Sequence, residues 1–293
     1  MRFLNLDGRL QVSTPSGLVD VAAASRGHFS GAPQEVYDRW AEFVAWYGEN
    51  GSVLAPPDTG DIDPARLGAP SPQPRQIFAV GLNYADHAAE AGMAPPEAPV
   101  VFTKFASAIS GQVTTVVLPP GSVDWEVELV VVIGRGGRDI PAARAWNAVA
   151  GLSVGQDLSE RRGQMSGPAP QFSLAKSHRG FAPIGPALVT IDELDDPEDL
   201  ELGATINGEV VQRSRTSQMV FPVPELIEYL SRTVELFPGD VLFTGTPPGV
   251  GVGRTPPRFL GPGDVLRSHV DGIGELVQTF ACADQASSIR EIR

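Results

Sequence analysis

Residues 124–134 read DWEVELVVVIG, and this stretch combines a strand-like apolar run with two glutamates. Successive side chains of a strand point to opposite faces, so Glu126 and Glu128 are expected to share one face. Two carboxylates beside so apolar a strand repel one another and resist burial, and a hard divalent cation would resolve both problems. On this motif alone, an amphipathic strand with a solvated acidic face remains the alternative.

A third acid, Asp157, ends the strand-like run in GLSVGQDLSERRGQ at 151–164. A Glu-x-Glu pair and a distant Asp would form a facial set of oxygen ligands that leaves positions for water or substrate oxygens, as is usual for Mg²⁺. Asp124 could face the same way, but its place at the start of the strand predicts that its carboxylate is solvated.

Only two of the 22 basic residues are lysines, namely Lys104 in VFTKFAS (101–107) and Lys176 in FSLAKSHRGF (172–181). Lysine carries a compact charge with a tunable pKa, which arginine does not. In a chain that otherwise uses arginine, both lysines are therefore candidates for chemistry. The alternative is a compositional drift toward arginine that left two lysines by chance.

The segment GLNYADHAAEAG (81–92) is expected to turn into a short helix. His87 and Glu90 are three residues apart and would share a helix face, where a carboxylate can orient an imidazole as a general base. The alternative is a solvated helical histidine with an incidental acid nearby. His178, two residues after Lys176, is a candidate to line the same pocket.

The net charge of −13 and a pI of about 4.7 argue against nucleic acid and anionic membranes as partners, because both need a basic surface. A single cysteine, Cys282, excludes an internal disulfide and a cysteine-based zinc site. Neither a signal peptide at the start nor an apolar run of membrane-spanning length is recognisable, which predicts a cytoplasmic protein.

Strand-like runs outnumber helical ones and do not alternate regularly with them, which disfavours a Rossmann or TIM-barrel architecture. An Asn-Gly turn at 206–208 predicts a β-hairpin. The predicted helices span 34–48, 82–91, 139–150 and 224–235.

A segment rich in Pro and Gly at 55–75 is a candidate linker. It divides the chain into a small predicted N-terminal domain at 1–70 and a larger domain at 71–293. All of the candidate site residues fall in the larger domain, and nothing in the first 70 residues suggests a catalytic motif.

Eight segments between residues 77 and 280 resemble the fumarylacetoacetate hydrolase family, in the family's order. They are GLNYADHAAE, VFTKFASAISG, DWEVELVVVIG, VAGLSVGQDLSERRGQ, FSLAKSHRGFAPIGP, INGEVVQ, LFTGTPPGVG and FLGPGDVL. The resemblance implies an α+β, strand-rich fold in which a mixed β-roll follows a small N-terminal α+β domain. It also implies a homodimer.

The site residues that the resemblance implies fall into three groups. Its Mg²⁺ or Mn²⁺ ligands would be Glu126, Glu128 and Asp157. Its catalytic residues would be His87 and Glu90, on a mobile lid helix, with Lys176 and Gln164. Its substrate contacts would be Arg161, Thr246 and Lys104.

The implied reaction is metal-assisted hydrolysis of a C–C bond in a small anionic 2,4-dioxo acid, such as an acylpyruvate. Decarboxylation of oxaloacetate-like acids or isomerisation of unsaturated 2-oxo diacids is the alternative, and a metal-binding protein without turnover is an alternative of another class. Two departures from the family pattern bear on the substrate. Gln156 stands where many members have Asn, and KSHR at 176–179 stands where many have Lys-Ser-Phe-Asp; both are expected near the pocket.

Overall fold

The computed structural model describes residues 1–54, 56, 62–90 and 92–282, and strands dominate this part of the chain. The strands are β1 (Arg2–Leu6), β2 (Arg9–Thr14), β3 (Gly17–Asp20), β4 (Leu67–Gly68), β5 (Ile77–Gly81), β6 (Val100–Thr103), β7 (Ile109–Ser110), β8 (Val113–Val117), β9 (Val123–Asp124), β10 (Val127–Ile133), β11 (Val149–Gln156), β12 (Ser159–Glu160), β13 (Ala182–Val189), β14 (Glu201–Ile206), β15 (Glu209–Arg215), β16 (Val241–Phe243), β17 (Val265–Val270) and β18 (Gly274–Ala281). The α-helices are α1 (Val21–Ala24), α2 (Trp40–Asn50), α3 (Ala85–Glu90), α4 (Arg161–Gln164), α5 (Phe172–Ala175) and α6 (Val223–Thr233).

The strands form one large sheet, one smaller sheet and a two-stranded ribbon of β9 and β12. The large sheet follows the path β3-β2-β1-β13-β11-β10-β16-β5-β6, with β4 beside β1 and β7 beside β13. The smaller sheet has the order β15-β14-β17-β18-β8. Parallel pairs occur at β16–β5, β13–β7 and β18–β8, whereas the other pairs are antiparallel. The predicted α+β, strand-rich class with mixed sheets is confirmed.

Strand β10 lies at the centre of the large sheet, between β11 and β16, and all seven of its residues are buried. This explains its apolar run, because a strand covered on both faces has few solvated positions. Glu128 pairs in register with Gly155 of β11. A Cβ at Gly155 would lie 2.4 Å from Val130 Cγ2 and 2.7 Å from the Phe243 ring, so this position is restricted to glycine.

The N-terminal strands continue the large sheet, because β1 pairs with β13 in the register Arg2↔Val189. The ring of Phe3 packs against Trp40 and Phe43 of α2, so the N-terminal segment shares the core of the molecule. The domain boundary at residue 70 stays a prediction, and positions 55 and 57–61 of the proposed linker lie outside the described residues.

The predicted helix at 224–235 and the hairpin at 206–208 are both confirmed. Helix α6 spans Val223–Thr233. The turn between β14 and β15 has left-handed backbone at Asn207 (φ 51°) and Gly208 (φ 86°), which is the geometry that an Asn-Gly hairpin favours.

Two other helix predictions overestimated the length of regular α-helix. At 34–48, a 3-10 segment (Pro33–Arg39) comes before α2. At 139–150, the chain forms only a 3-10 segment, Ala142–Ala148, and the prediction of an α-helix is wrong. The chain must already be extended at Val149, which pairs with Ile133 across the sheet, so little length is left for a helix.

Candidate metal centre and active site

Three carboxylates converge on one buried point of the large sheet. Glu126 comes just before β10, Glu128 lies within it, and Asp157 directly follows β11. The backbone N–H of Asp157 donates to the carbonyl of Glu126 at 2.9 Å, which brings the two strand ends together. One carboxylate oxygen from each residue lies within 4.8 Å of the others, and all three residues are buried. The structure therefore assembles the acidic set that the sequence predicted.

Each of these carboxylates has a second contact that fixes its orientation. Glu126 Oε1 lies 2.7 Å from a terminal nitrogen of Arg161. Glu128 Oε2 accepts a hydrogen bond from the backbone N–H of Gly245 at 2.6 Å. Asp157 Oδ1 accepts one from Lys104 Nζ. Outer contacts of this kind orient the ligands of metal sites.

Both lysines of the chain lie in this cluster. Lys176 Nζ is 2.6 Å from Glu126 Oε2 and 2.6 Å from Asp157 Oδ2, and Lys104 also donates to the carbonyl of Lys176. The Lys104 and Lys176 side chains are 0% and 3% exposed. Burial lowers the pKa of Lys104. Burial also opposes the charge of Lys176, but attraction by Asp157 and Glu126 outweighs it and raises the pKa of that lysine.

The carboxylates differ in how well the protein neutralises them. Burial opposes ionisation of Glu126, but attraction by Lys176 and Arg161 lowers its pKa to about 2. The pKa of Glu128 is raised well above its usual range, because it is buried beside the negative charges of Asp157 and Glu126. A divalent cation would remove this repulsion, and three carboxylates are the hard oxygen donors that Mg²⁺ and Mn²⁺ bind. The residues present thus fit a metal.

The candidate base is held on α3. His87 is 8% exposed, so the alternative of a solvated helical histidine is wrong. Its Nδ1 lies 3.5 Å from Glu90 Oε2, and both oxygens of Glu90 accept from the N–H of Gly249 at 3.1 Å. Burial opposes the charge of Glu90, but the hydrogen bonds from His87 and Gly249 lower its pKa. The pair is therefore a carboxylate-oriented imidazole whose Nε2 faces away from Glu90.

The remaining predicted residues are engaged with the protein itself. Arg161 donates to Gln164 Oε1 at 3.0 Å as well as contacting Glu126. The hydroxyl of Thr246 donates to the carbonyl of Val127 at 2.9 Å and accepts from the Gln212 amide at 2.8 Å, so it fixes the start of β10. The substrate-binding roles of Arg161, Thr246 and Lys104 stay predictions.

Asp124 was expected to be solvated, and this is wrong. Its side chain is fully buried and accepts hydrogen bonds from Arg161 Nε and from the backbone at Gly251 and Val252. It continues the i, i+2 spacing of Glu126 and Glu128, which is the one local signal that could have placed it in the site. Its loop partners lie about 127 residues away in sequence, so no local pattern reveals them.

The two departures from the family pattern take different places. Gln156 lies behind the acidic cluster, where its amide accepts from the N–H of Glu126 at 2.9 Å and donates to Ser268 at 2.8 Å. The expectation that it lies near the pocket agrees with this hydrogen bond to Glu126, a candidate ligand, and its effect on the substrate stays a prediction. His178 is exposed and, with Phe105 and Leu174, lines a surface groove beside the Lys176 segment.

Metal binding should be visible in the stability of the protein. Mg²⁺ or Mn²⁺ at 100 times its Kd should stabilise the folded state by about 2.7 kcal/mol. For a chain of 293 residues, that raises Tm by about 4 °C. Asp157→Asn should abolish the shift, whereas Glu225→Gln, on the exposed face of α6, should keep it. Calorimetric melting with and without chelator provides the measurement, and equal shifts in both variants would contradict the metal centre.

A mixed, strand-rich fold, a buried carboxylate cluster with two lysines, and an imidazole oriented by a carboxylate on α3 together define an enzyme built around a candidate metal centre. The sequence model of the fumarylacetoacetate (FAA) hydrolase C-terminal domain matches residues 76–281, and the chain belongs to this family.

Relatives in this family carry several activities. The chain is 48% identical over 211 residues to the mitochondrial oxaloacetate tautomerase FAHD2A of Bos taurus, which covers 71% of this chain and 67% of that protein. A candidate HpcE protein from Mycobacterium smegmatis is 62% identical, with a TM-score of 0.92 over 97% of this chain and 100% of that one. Maleylpyruvate hydrolase from Sphingobium sp. SYK-6, solved with manganese (II) ion and pyruvate, is 26% identical, with a TM-score of 0.76 over 96% of this chain and 99% of that one.

The described part of the chain contains no helix that is long and apolar enough to span a bilayer. The name of the Bos taurus relative places that protein in mitochondria, and the cytoplasmic location of this chain stays a prediction.

Proposed function

We propose that this protein is a metal-dependent enzyme that forms and protonates the enolate of a small 2-oxo acid, and that its reaction is the keto–enol tautomerisation of an oxaloacetate-like diacid. The observation that carries the proposal is the buried set of three carboxylates with Lys176 among them. The 48% identity to an oxaloacetate tautomerase supports this reaction over the others of the family.

Glu126, Glu128 and Asp157 would hold Mg²⁺ or Mn²⁺, which would polarise the 2-oxo group and stabilise negative charge on its oxygen. The chain's own residues supply the rest. Lys176 adds a positive charge at the same point. For enolisation, His87 Nε2 takes the proton from the carbon beside the 2-oxo group and delivers it to the 2-oxo oxygen, and ketonisation runs the same transfer in reverse, while Glu90 keeps Nδ1 oriented.

Hydrolysis of a C–C bond in an acylpyruvate is the second candidate, favoured by the His87–Glu90 pair. In this reaction His87 removes a proton from water, and the hydroxide adds to the C4 carbonyl. The bond between C3 and C4 then breaks, which releases a carboxylic acid and the enolate of pyruvate, and a proton returns to C3. Lys176 and Gln164 would lie near the developing oxyanion. The maleylpyruvate hydrolase neighbour, which was solved with pyruvate, makes this a chemically close alternative.

A product-identified assay distinguishes these reactions. The purified protein is given oxaloacetate and a series of acylpyruvates with Mg²⁺ or Mn²⁺, and NMR follows enol, ketone, pyruvate and carboxylic acid. We expect faster enol–ketone exchange of oxaloacetate than in buffer containing the metal alone. Cleavage of an acylpyruvate without tautomerisation of oxaloacetate would show that the second candidate, C–C bond hydrolysis, is the reaction of this protein. No turnover of any substrate despite metal binding would favour a binding protein.

The proposal includes a small anionic 2-oxo acid as substrate and a homodimer as the assembly, with neither nucleic acid nor membrane as a partner. The three cations of the site, Lys104, Arg161 and Lys176, oppose four acids, Asp124 and the three candidate ligands. A bound dication would make this cluster net positive, which suits an anionic substrate.

A further inference from the structure

Asp124 is a fully buried carboxylate whose four hydrogen bonds all come from N–H donors. Oδ1 accepts from the backbone of Trp125 at 2.8 Å and of Gly251 at 2.7 Å. Oδ2 accepts from the backbone of Val252 at 3.0 Å and from Arg161 Nε at 2.8 Å. Two of these donors belong to a glycine-rich loop and one to an arginine, so the carboxylate joins separate parts of the chain.

The hydrogen bond from Arg161 connects Asp124 to the candidate metal centre. Arg161 is only 12% exposed, and its three nitrogens contact Asp124, Gln164 Oε1 at 3.0 Å and Glu126 Oε1 at 2.7 Å. The guanidinium is planar and rigid, so fixing its Nε also fixes the direction of the other two nitrogens. Arg161 therefore links Asp124 to one oxygen of Glu126, whose other oxygen lies 2.6 Å from Lys176 Nζ.

The hydrogen bonds from Gly251 and Val252 connect Asp124 to the loop that holds the candidate base. The loop at 249–253 carries the N–H of Gly249 that holds Glu90, and a Cβ at Gly253 would lie 2.4 Å from Glu90 Cγ. Between these two contacts, Gly251 and Val252 are tied to Asp124. A Cβ at Gly251 would come within 1.9 Å of the Arg258 carbonyl, so the loop has little space to shift. Asp124 thus holds the loop between its two points of contact with Glu90.

We propose that Asp124 is a positioning residue that aligns the two halves of the active site, Glu126 through Arg161 and the His87–Glu90 pair through the glycine loop. The inference rests on the metal centre and the base of the proposed function, and it adds a residue that touches neither metal nor substrate. An aspartate is required because four donors meet two oxygens. An asparagine offers one accepting oxygen and would turn an NH₂ group toward two N–H donors.

Asp124→Asn should raise the Kd of the metal-free protein for Mg²⁺, measured by calorimetry, by about 10–100-fold, the usual effect of outer contacts in metal sites. Turnover at saturating Mg²⁺ should also fall by about tenfold, because the loop no longer fixes Glu90. Asp240→Asn is the matched control. Asp240 is likewise buried and accepts from the backbone N–H groups of Gln76 and Phe237, but it contacts none of the site residues.

A purely structural role would lower the Tm of Asp124→Asn while leaving Mg²⁺ affinity and turnover per folded molecule at wild-type values, as expected for Asp240→Asn. That outcome would overturn the inference. A double-mutant cycle tests the route through Arg161. If Asp124 acts on Glu126 through Arg161, Arg161→Gln and the double variant should have the same Kd for Mg²⁺. If the losses of Mg²⁺ affinity in the two single variants multiply fully in the double variant, Asp124 does not act on Glu126 through Arg161.

If Asp124→Asn does not fold, Arg161→Gln carries the test, because Asp124 then keeps its three backbone donors. The expected result is a weakened Mg²⁺ site together with a lowered Tm, because Asp124 and Glu126 lose a buried cationic partner, and an unchanged Kd in the folded variant would overturn the link to Glu126. A wild-type protein that binds no Mg²⁺ would overturn the metal centre itself and the inference with it. Wild-type binding with unchanged affinity in both variants would overturn the inference alone.

Discussion

His87→Ala is expected to lower the tautomerisation of oxaloacetate, or the cleavage of an acylpyruvate, by about 10²–10⁴, the usual contribution of a general base. His87 is the buried imidazole that Glu90 orients, and Gly249 in turn holds Glu90. Both reactions require a proton to be moved at a defined atom. Decarboxylation of oxaloacetate requires stabilisation of the enolate but no base, so any such activity should fall much less.

The comparison needs a control on the same helix. Asp86 precedes His87 in α3 and is exposed, and Asp86→Ala should keep both activities within about twofold. Steady-state rates with identified products, together with Tm for each variant, provide the measurement. An equal loss of proton transfer and decarboxylation, with folding intact, would count against His87 as the base. Glu90→Gln should show the same selectivity with a smaller loss, since the imidazole remains but its orientation weakens.

The acidic cluster could be predicted because two of its three members are neighbours in the sequence and the third ends a strand-like run. Glu126 and Glu128 are two residues apart in an extended chain, which alone places them on one face. Asp157 was found from its position at the end of an apolar run, and the antiparallel pairing of β10 with β11 brings it beside Glu126. The scarcity of lysine in the sequence also indicated residues of the cluster, since the ammonium groups of both lysines contact Asp157.

The features that sequence reasoning missed depend on contacts between distant segments. The pairing of β1 with β13 joins residues 187 positions apart, in Arg2↔Val189, and no local pattern specifies it. The burial of Asp124 likewise depends on a loop that lies 127 residues further along the chain. The contact of Gln156 with Ser268 could not be predicted either, because the two residues lie 112 positions apart in the sequence.

The arrangement also explains why lysine rather than arginine lies among the carboxylates. Lys176 Nζ is 2.6 Å from both Glu126 Oε2 and Asp157 Oδ2, its side chain is 3% exposed, and its ammonium lies 5.0 Å from the centre of the Phe102 ring. A guanidinium is larger and planar and would have to displace one of these neighbours. Arg161 already occupies the other oxygen of Glu126, which leaves no free place beside that carboxylate for a second guanidinium.

Lys176→Arg should therefore reduce turnover by roughly 10²–10³, equivalent to about 2.7–4 kcal/mol of lost oxyanion stabilisation. Lys176→Met, which keeps most of the volume but removes the charge, should lose a similar amount. Equal losses would show that the site needs a charge that is both present and compact. Turnover is measured at saturating Mg²⁺, and the Kd for the metal is determined separately, so that a displaced carboxylate is distinguished from a lost contact with substrate.

The matched control is a substitution of lysine for arginine at an exposed position. Arg213 is 70% exposed and pairs with Glu201, and Arg213→Lys should change neither turnover nor Tm measurably, because exposed ion pairs contribute little. A compositional drift toward arginine predicts that Lys176→Arg is tolerated equally well. If Lys176→Arg has wild-type turnover, the scarcity of lysine reflects drift and Lys176 has no role in the mechanism. If turnover falls in Lys176→Arg but not in Arg213→Lys, the chemistry of the site explains why this lysine remains in an arginine-rich chain.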